Sequence, residues 1–246
     1  MNDSAVQKKV VPQNTTVDWH DTKSIYSKTA CYLEPYSALI WIHEFASDDI
    51  DDSQFSLQFF LSEHSSLIYI PILHGGSCVD LDIQVNLDYN AHAIVAGAYS
   101  LKDKQQCTIR TRQQHQGKNA KSSLSFNGIA ADQSSVSYYG TIAIEKNACN
   151  TNASQENKTI IWGSEARAIS IPALEVETNE VQCAHGSAVG PLNAEHIQYV
   201  QSRGLSLKEA QRLLLTSFFA ETLYTLKEEE FKSRIIASLI SHVLDK

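Results

Sequence analysis

The chain has 246 residues and a formal net charge of -8, with 20 Lys and Arg against 28 Asp and Glu. A chain of this length can bury about 70–75% of its unfolded surface, so a core is available without disulfide bonds. The acidic balance argues against nucleic-acid binding. No apolar run approaches the ~20 residues needed to span a bilayer, and the amino terminus lacks the apolar region of a signal peptide. We therefore predict a cytoplasmic protein with neither a nucleic-acid nor a membrane partner.

The cysteines do not form a recognisable framework. There are five of them, an odd number, and they contain no CxxC pair: Cys31, Cys78, Cys107, Cys149 and Cys183. Neither a disulfide scaffold nor a structural zinc site is predicted from such spacing, and reduced thiols are expected.

The first part of the chain is predicted to lack regular structure. Residues 1–36 are polar and mixed without a sustained period, which indicates an irregular N-terminal arm or leading strands. Short apolar runs follow, ALIWIHEF, SLQFFL and SLIYIPIL, and are typical of strands.

The clearest pattern is VDLDIQVNLDY, residues 79–89, where apolar and polar residues alternate strictly. Period two places one face of a strand in the core and the other in water, whereas a helix would scatter the apolar residues around its circumference.

Further runs predict a β-rich core over residues 37–190: CTIRTR, SLSFNGI, SYYGTIAI, TIIW and LEVE. Polar turns separate them without an intervening helix, which excludes a doubly wound fold. A sandwich would favour Asn-Gly or Asp-Gly hairpin turns, and the nearest dipeptide, Asn127-Gly128, lies inside a run. Periodicity alone leaves a sandwich and a parallel β-helix open.

The period changes after Gly190 and predicts a C-terminal helical module over residues 191–246. Asn193 can cap a first helix that Gly204 ends, and Ser206 with Glu209 forms a capping box for a second. The second helix is expected to turn Leu207, Leu214 and Phe218 toward the β core, with Phe219 displaced onto another face. A third apolar stripe, Phe231 to Val243, predicts a third helix.

One long stretch carries a family resemblance. YYGTIAI, NACNTNASQEN and IIWGSEARAISIPALEVETNEVQCAHGSAVGPLNAEHIQYVQSRGLSLKEAQ follow one another, and the likeness runs from about Val79 to the carboxyl terminus. This stretch resembles the core domain of the SufB and SufD proteins of the SUF iron-sulfur assembly system. Cys183-Ala184-His185-Gly186 is similar to the SufD form, since the SufB form has a His-Glu pair at His185-Gly186.

The resemblance implies a right-handed parallel β-helix followed by helices, acting as a non-catalytic scaffold subunit without a tightly bound cofactor. The implied partners are a SufB-like sister β-helix and a SufC-like ATPase on the C-terminal helices, with a homodimer possible when the chain is alone. A transient iron ion or nascent iron-sulfur cluster would lie at the partner interface, with His185 contributing. The partner-binding residues expected on this basis are Tyr199, Arg203, Gly204, Phe218 and Phe219. Deleting residues 207–246 is expected to leave a soluble β body that no longer retains the ATPase.

The sequence allows two interpretations of Cys183 and His185, a metal site or a structural role. Residues two apart on a strand point to the same side, so thiolate and imidazole could share one metal ion. Alternatively, Cys183 is a small buried side chain and His185 is a hydrogen-bonded residue near a turn. An isolated C-x-H favours the second reading, and the resemblance reverses it for His185 only.

A free-standing β-helical hydrolase or carbohydrate binder remains the alternative. It would need paired carboxylates about 5–10 Å apart, which Asp80, Asp82 or Asp88 could supply. Against it, no GxSxG elbow is present, Glu165 is a single carboxylate, and His115 is expected to hydrogen-bond within a corner. No GxxxxGK[ST] loop occurs, so ATP hydrolysis would belong to a partner.

Overall fold

The protein is a parallel β-helix with three helices at its carboxyl end. The computed structural model describes residues 6–21, 28–46 and 53–244. The described strands form two seven-stranded sheets, and consecutive strands alternate between them, so each coil contributes one strand to each sheet. Every neighbouring pair is parallel, which confirms the predicted solenoid and excludes the sandwich.

The first sheet, called the odd sheet, contains β1 (Gln7–Val11), β3 (Lys28–Leu33), β5 (Ser53–Leu61), β7 (Cys78–Leu87), β9 (Gln106–His115), β11 (Ser135–Ile144) and β13 (Arg167–Val176). The second, called the even sheet, contains β2 (Thr16–Asp21), β4 (Ala38–Ala46), β6 (Ser66–His74), β8 (His92–Leu101), β10 (Lys121–Ala131), β12 (Thr151–Trp162) and β14 (Val181–Gly190).

Coil length varies, which hides the repeat from sequence inspection. Gln7 pairs with Thr29, 22 positions further on, whereas Lys121 pairs with Asn152, 31 positions further on. Corner loops absorb the difference while the strands stay in register.

One corner repeats the same backbone conformation in six successive coils. The residue that turns from an odd to an even strand has φ between 52° and 60° at Asn14, Tyr36, His64, Asn90, Asn119 and Asn150. Each donates its backbone N–H to a carbonyl of the following coil, as Asn119 does to Cys149 at 2.9 Å. Asparagine tolerates this left-handed region better than most residues, and four of the six corner residues are Asn, none of them followed by Gly. We call this set the corner ladder.

The alternating run behaves as predicted. Val79, Leu81 and Ile83 are buried, whereas Asp80 lies on the outer face of the odd sheet and pairs with Arg110. Tyr89 departs from the pattern because it lies beyond the end of β7, where 42% of its surface is exposed.

Two parts of the strand prediction were wrong. Residues 1–36 contain β1, β2 and β3, so the alternative of leading strands holds and the irregular arm does not; residues 1–5 and 22–27 of that stretch lie outside the described residues. β8 was also missed, because its small residues carry little strand signal. Ala96 and Ala98 face the helices, and the missing side chain of Gly97 makes room for Phe126, whose ring would lie 2.4 Å from an added Cβ.

The helices begin where the sequence placed them. They are α1 (Ala194–Ser202), α2 (Leu207–Thr222) and α3 (Glu229–Leu244). Asn193 accepts the N–H of Glu195 at 2.7 Å, and Ser206 and Glu209 form the predicted capping box. No helix in the described ranges is long and apolar enough to cross a membrane.

The helices cover the outer face of the even sheet. Leu215 and Phe219 of α2 pack with α3 residues such as Ile236 and Leu239 against apolar side chains of that sheet, among them Ile72.

This packing corrects the prediction of which face of α2 is buried. Leu207 is 49% exposed, whereas Phe219, predicted to be displaced, is fully buried. The predicted stripe with Leu214 and Phe218 and the observed stripe with Leu215 and Phe219 are offset by one residue. The fit to the even sheet buries the stripe that contains Phe219. Deletion of α2 and α3 would expose the apolar sheet residues that they cover, so we expect the truncated β body to be less soluble than the sequence alone suggested.

A buried carboxylate fixes α3 to the sheet. Glu44 of β4 accepts a hydrogen bond from Arg234 of α3 at 2.9 Å and lies 2.7 Å from His20 Nε2. Burial by itself raises the pKa of the Glu44 carboxyl, but the hydrogen bonds and charges of Arg234 and His20 outweigh it, so the pKa lies below its ordinary value. Glu44 therefore remains ionised and holds Arg234.

The corner ladder predicts a position-specific effect on stability. Asn119→Val should destabilise the protein by about 1–3 kcal/mol, because a β-branched residue is strained at positive φ. Asn119→Gly is the control and should remain close to wild type, since glycine adopts this conformation freely. Urea unfolding measures both, and equal stability of the two variants would contradict the role assigned to the corner.

The Glu44 contact predicts a pH dependence. A carboxyl group with a lowered folded pKa contributes stability above its unfolded pKa, and that contribution is lost as pH falls through the folded pKa. Glu44→Gln should cost about 1–3 kcal/mol at pH 7, since hydrogen bonds to a charged group are lost. The difference from wild type should shrink as the pH is lowered below the ordinary range of Glu. Thermal unfolding across pH, with exposed Glu63→Gln as control, tests this, and a gap that is constant with pH would contradict it.

Candidate functional site

The sequence-predicted pair lies on the last strand of the even sheet. In β14, Cys183 pairs with Ala153 and His185 pairs with Gln155 of β12. Ala153 and Gln155 are buried between the two sheets, so Cys183 and His185 face the same interior, which we call the lumen. The structure therefore places both side chains on one side of one strand, as the two-residue spacing requires.

The coil that carries this pair is the last one. Among the described strands, β13 is paired only with β11 and β14 only with β12. We call this end of the β-helix the open end. His185 is exposed there, because no further described coil stacks above it.

Cys183 has the surroundings of a packing residue. It contacts a small apolar cluster formed by Ile142, Ile144, Ala148 and Ala153. Burial raises the pKa of its thiol, which disfavours the thiolate that binds metal. Its role as a ligand stays a prediction, and the geometry favours the structural reading.

The described residues hold no group of three or more His, Cys, Asp or Glu side chains arranged to bind a metal ion. Cys183 and His185 thus form a pair without a third such neighbour in this part of the chain. The glycine that follows His185 stands beside the side chain of Glu156, whose Cγ would lie 4.0 Å from an added Cβ.

The open end is rich in exposed apolar side chains. Ile169 and Ile171 project from the outer face of β13 and are 53% and 51% exposed. Leu174, Val176 and Val189 are each at least 40% exposed around the lumen. Unpaired strand edges and exposed apolar residues together are typical of an interaction surface.

The five predicted partner-binding residues do not share one environment. Tyr199 is 60% exposed, and Arg203 donates to its hydroxyl at 3.2 Å and lies over its ring. Gly204 is exposed with φ 99°, in open space. Phe218 is half-buried, and Phe219 is buried against the sheet. Phe219 therefore faces the β-helix itself and offers no outer surface, because its stripe is the one that docks.

Most of the residues considered for hydrolysis are engaged in other contacts, whereas Asp82 is exposed on the outer face of β7. Glu165 accepts a hydrogen bond from Gln133, Asp80 pairs with Arg110, and Asp88 accepts the backbone N–H of Tyr89. His115 is fully buried and bonds Ser122 at 2.8 Å, and burial lowers its pKa to about 4, so it is neutral. This confirms the expected structural role of His115.

Sequence reasoning missed a polar layer beneath His185. Gln113, Gln155 and Asn157 point into the lumen and are at most 2% exposed. The signal was present in TNASQENKT, where polar residues occupy four of the five positions that strand alternation turns inward, all except Ala153. Polar residues on both faces had been interpreted as a turn, because a buried strand is normally apolar on its inner face.

The fold and site define a β-helical protein with an open, apolar end that carries a histidine, and with a helical layer on one sheet. The SufBD core domain, described as SUF system FeS cluster assembly, matches residues 42–218. The chain belongs to this family. The match begins earlier than the resemblance noted from Val79, in β4.

Three relatives illustrate the similarity. The iron-sulfur cluster assembly protein SufD of Escherichia coli (strain K12) is 26% identical over 199 residues, covering 80% of this chain and 45% of that protein. A SufBD family protein of Mycobacterium leprae is 27% identical over 210 residues, covering 82% of this chain and 53% of the relative. SufD of Bacillus subtilis is 28% identical over 123 residues, covering 50% and 28%. The chain spans about half the length of the first two relatives.

Proposed function

We propose that this protein takes part in iron-sulfur cluster assembly as a non-catalytic scaffold subunit. The observation that carries the proposal is the family match over residues 42–218, which includes the open end and its histidine. Relatives named for iron-sulfur cluster assembly support the process. The hydrolase alternative has no comparable support, and two of its candidate carboxylates, Asp80 and Asp88, hold structural contacts.

The open end is the surface proposed to bind a sister β-helix of the SufB type, or a second copy when the chain is alone. Its two unpaired edges can extend the sheets across an interface, and burial of Ile169, Ile171 and Val189 would contribute hydrophobic free energy. The first coil differs. There Lys9 pairs with Asp21 and lies over the rings of Trp19 and Trp41 inside the lumen, so a polar pair covers the aromatic core.

The outer face of the helical layer is proposed to bind a SufC-like ATPase. Tyr199 and Arg203 form an exposed, preordered pair on α1, and Leu207 and Leu213 of α2 are about half exposed. Aromatic and arginine residues with adjacent apolar surface are enriched in protein interfaces. Phe219 is left out of this surface because it is buried.

His185 is proposed to contribute to the site of a transient iron ion or nascent cluster at the sister interface. These species are cargo, and neither is a tightly bound cofactor of the chain. An exposed imidazole at an apolar interface can offer one nitrogen lone pair, with the remaining ligands supplied by the partner.

Pairing at the open end is tested with Ile171→Asp. A charge buried at the interface should weaken association with a sister chain, or self-association, by tenfold or more. Val10→Asp is the matched control, because Val10 is also an exposed outward residue on a terminal strand of the odd sheet, at the other end. Sedimentation and co-purification measure the effect. Equal losses in both variants, or none in Ile171→Asp, would reject the open end as the interface.

ATPase docking is tested by Tyr199→Ala and Arg203→Ala in the full chain. Each should reduce retention of the ATPase by about tenfold, the scale of a moderate interface contact, without lowering thermal stability. Tyr139→Ala, 39% exposed on the uncovered odd sheet, serves as control. Undiminished retention in a pull-down would remove α1 from the docking surface.

Substitution of His185 should impair function without loss of stability, whereas substitution of Cys183 should lower stability without loss of function. His185→Ala should melt close to wild type, since the side chain is exposed, yet fail to complement a strain that lacks the native gene under iron limitation. Cys183→Ser should complement but lose about 1 kcal/mol, because a hydroxyl replaces a packed thiol. Full complementation by a stable His185→Ala protein would end the case for a cluster-site role.

A further inference from the structure

The lumen changes character toward the open end. In the middle coils it is filled by apolar and aromatic side chains such as Leu81, Val95 and Phe126. From the coil of β9 and β10 onward amides also enter the lumen, with Gln113 on β9 and with Gln155 and Asn157 on β12. This change lies directly beneath the strand that carries His185.

Gln155 reaches across the lumen to the opposite sheet. An added Cβ on Gly140 of β11 would lie 2.2 Å from Gln155 Nε2, so the amide occupies the space that glycine leaves. Neither amide atom of Gln155 has a hydrogen-bond partner among the described residues, although the side chain is only 2% exposed. Burying a polar group without a partner is energetically costly, so this geometry points to a partner beyond the protein atoms in contact.

His185 stands above this amide. Gln155 pairs with His185, and Gly140 pairs with Pro172, so Pro172 and His185 repeat one coil later the facing relation of Gly140 and Gln155. Stacked residues at equivalent positions of neighbouring parallel strands lie side by side about 4.8 Å apart. The two residues are thus backbone neighbours, and both side chains start from the same inner face of the even sheet.

We propose that Gln155 is the positioning residue of His185. Its Oε1 accepts the N–H of the imidazole through one buried water, since no direct hydrogen bond joins the two side chains, and this fixes the ring and its tautomer. A neutral imidazole has one N–H and one lone pair, so a bond that holds the N–H inward turns the lone pair toward the open end. Metal-binding histidines commonly use such a second contact for orientation.

Unpartnered polar atoms near Gln155 indicate that buried water occupies the polar layer formed by Gln113, Gln155 and Asn157. Gln113 donates to the Ser154 carbonyl at 3.4 Å, and Asn157 donates to the Phe126 carbonyl, while the Oε1 of Gln113 and the Oδ1 of Asn157 lack partners in the described chain. Buried water commonly joins polar atoms of this kind. Gln155 is distinct among the three because it pairs with His185.

The experiment follows the tautomer of His185 by NMR on protein labelled with 15N-histidine, with the signal assigned by its loss in His185→Ala. Wild type should show one dominant tautomer. Gln155→Leu keeps the volume but removes the amide, and it should give a mixture of tautomers. Gln113→Leu is the matched control, because it removes another lumen glutamine that does not pair with β14. It should leave the His185 signal unchanged.

A second variant reaches the same contact from the opposite sheet. Gly140→Ala displaces the Gln155 amide without altering β12 or β14 and should change the tautomer in the same way, which keeps the test decisive if Gln155→Leu fails to fold. An unchanged single tautomer in a folded variant of either kind overturns the proposal.

The functional part rests on the proposed role of His185, and complementation separates the two. We expect Gln155→Leu to reduce complementation by about 10–100-fold, because loss of a contact that orients a metal-binding histidine usually has an effect of this size. If His185→Ala complements fully, the proposed cluster role fails whatever the tautomer. If His185→Ala fails to complement while Gln155→Leu retains both full function and one tautomer, the positioning role alone is wrong.

Discussion

The structure depends on a left-handed backbone turn that repeats at one corner of the β-helix. Each coil must reverse from the odd to the even sheet at the same height, and in six coils the corner ladder does this with one residue of positive φ whose N–H bonds the next coil. Because each corner is bonded to the next, a shift in one coil would misalign the strands above it. The last coil, which carries His185, is joined to the ladder by the hydrogen bond from the Asn150 N–H to the Glu180 carbonyl at 2.6 Å.

Regular stacking also explains how a polar layer can persist in the interior. Parallel strands in register place equivalent side chains in contact. The residue at each inward position must therefore fit the residues stacked above and below it. Gly97 leaves space for the ring of Phe126 on the neighbouring strand, and Gly140 leaves space for the Gln155 amide from the opposite sheet. The last coils use this space for amides, and the open end presents the histidine.

The two faces of the helical layer have different environments: the inner face packs on the even sheet, and the outer face is exposed to solvent. Its inner stripe, with Leu215 and Phe219, shields the even sheet, and the Glu44–Arg234 contact fixes α3 across it. Its outer stripe leaves Tyr199 and Leu213 in solvent. A partner that binds the outer stripe would therefore act on helices already coupled to the β-helix, and motion of such a partner could be transmitted to the sheets through packed side chains.

The amino-acid sequence by itself determined features that depend on local chemistry. The alternation of residues 79–87, the Asn193 cap and the Ser206–Glu209 capping box all involve neighbours within a few residues, and all were predicted correctly. The shared side of Cys183 and His185 followed from strand geometry alone. Only the tertiary structure decided which α2 stripe is buried, because Leu214 and Leu215 are equally apolar and the fit to the even sheet selects between them. It likewise decided that β8 is a strand, that Gln155 faces inward and that His185 lies at an open end, since each of these depends on contacts between coils that lie some 30 residues apart in the chain, as in the pairing of Gln155 with His185.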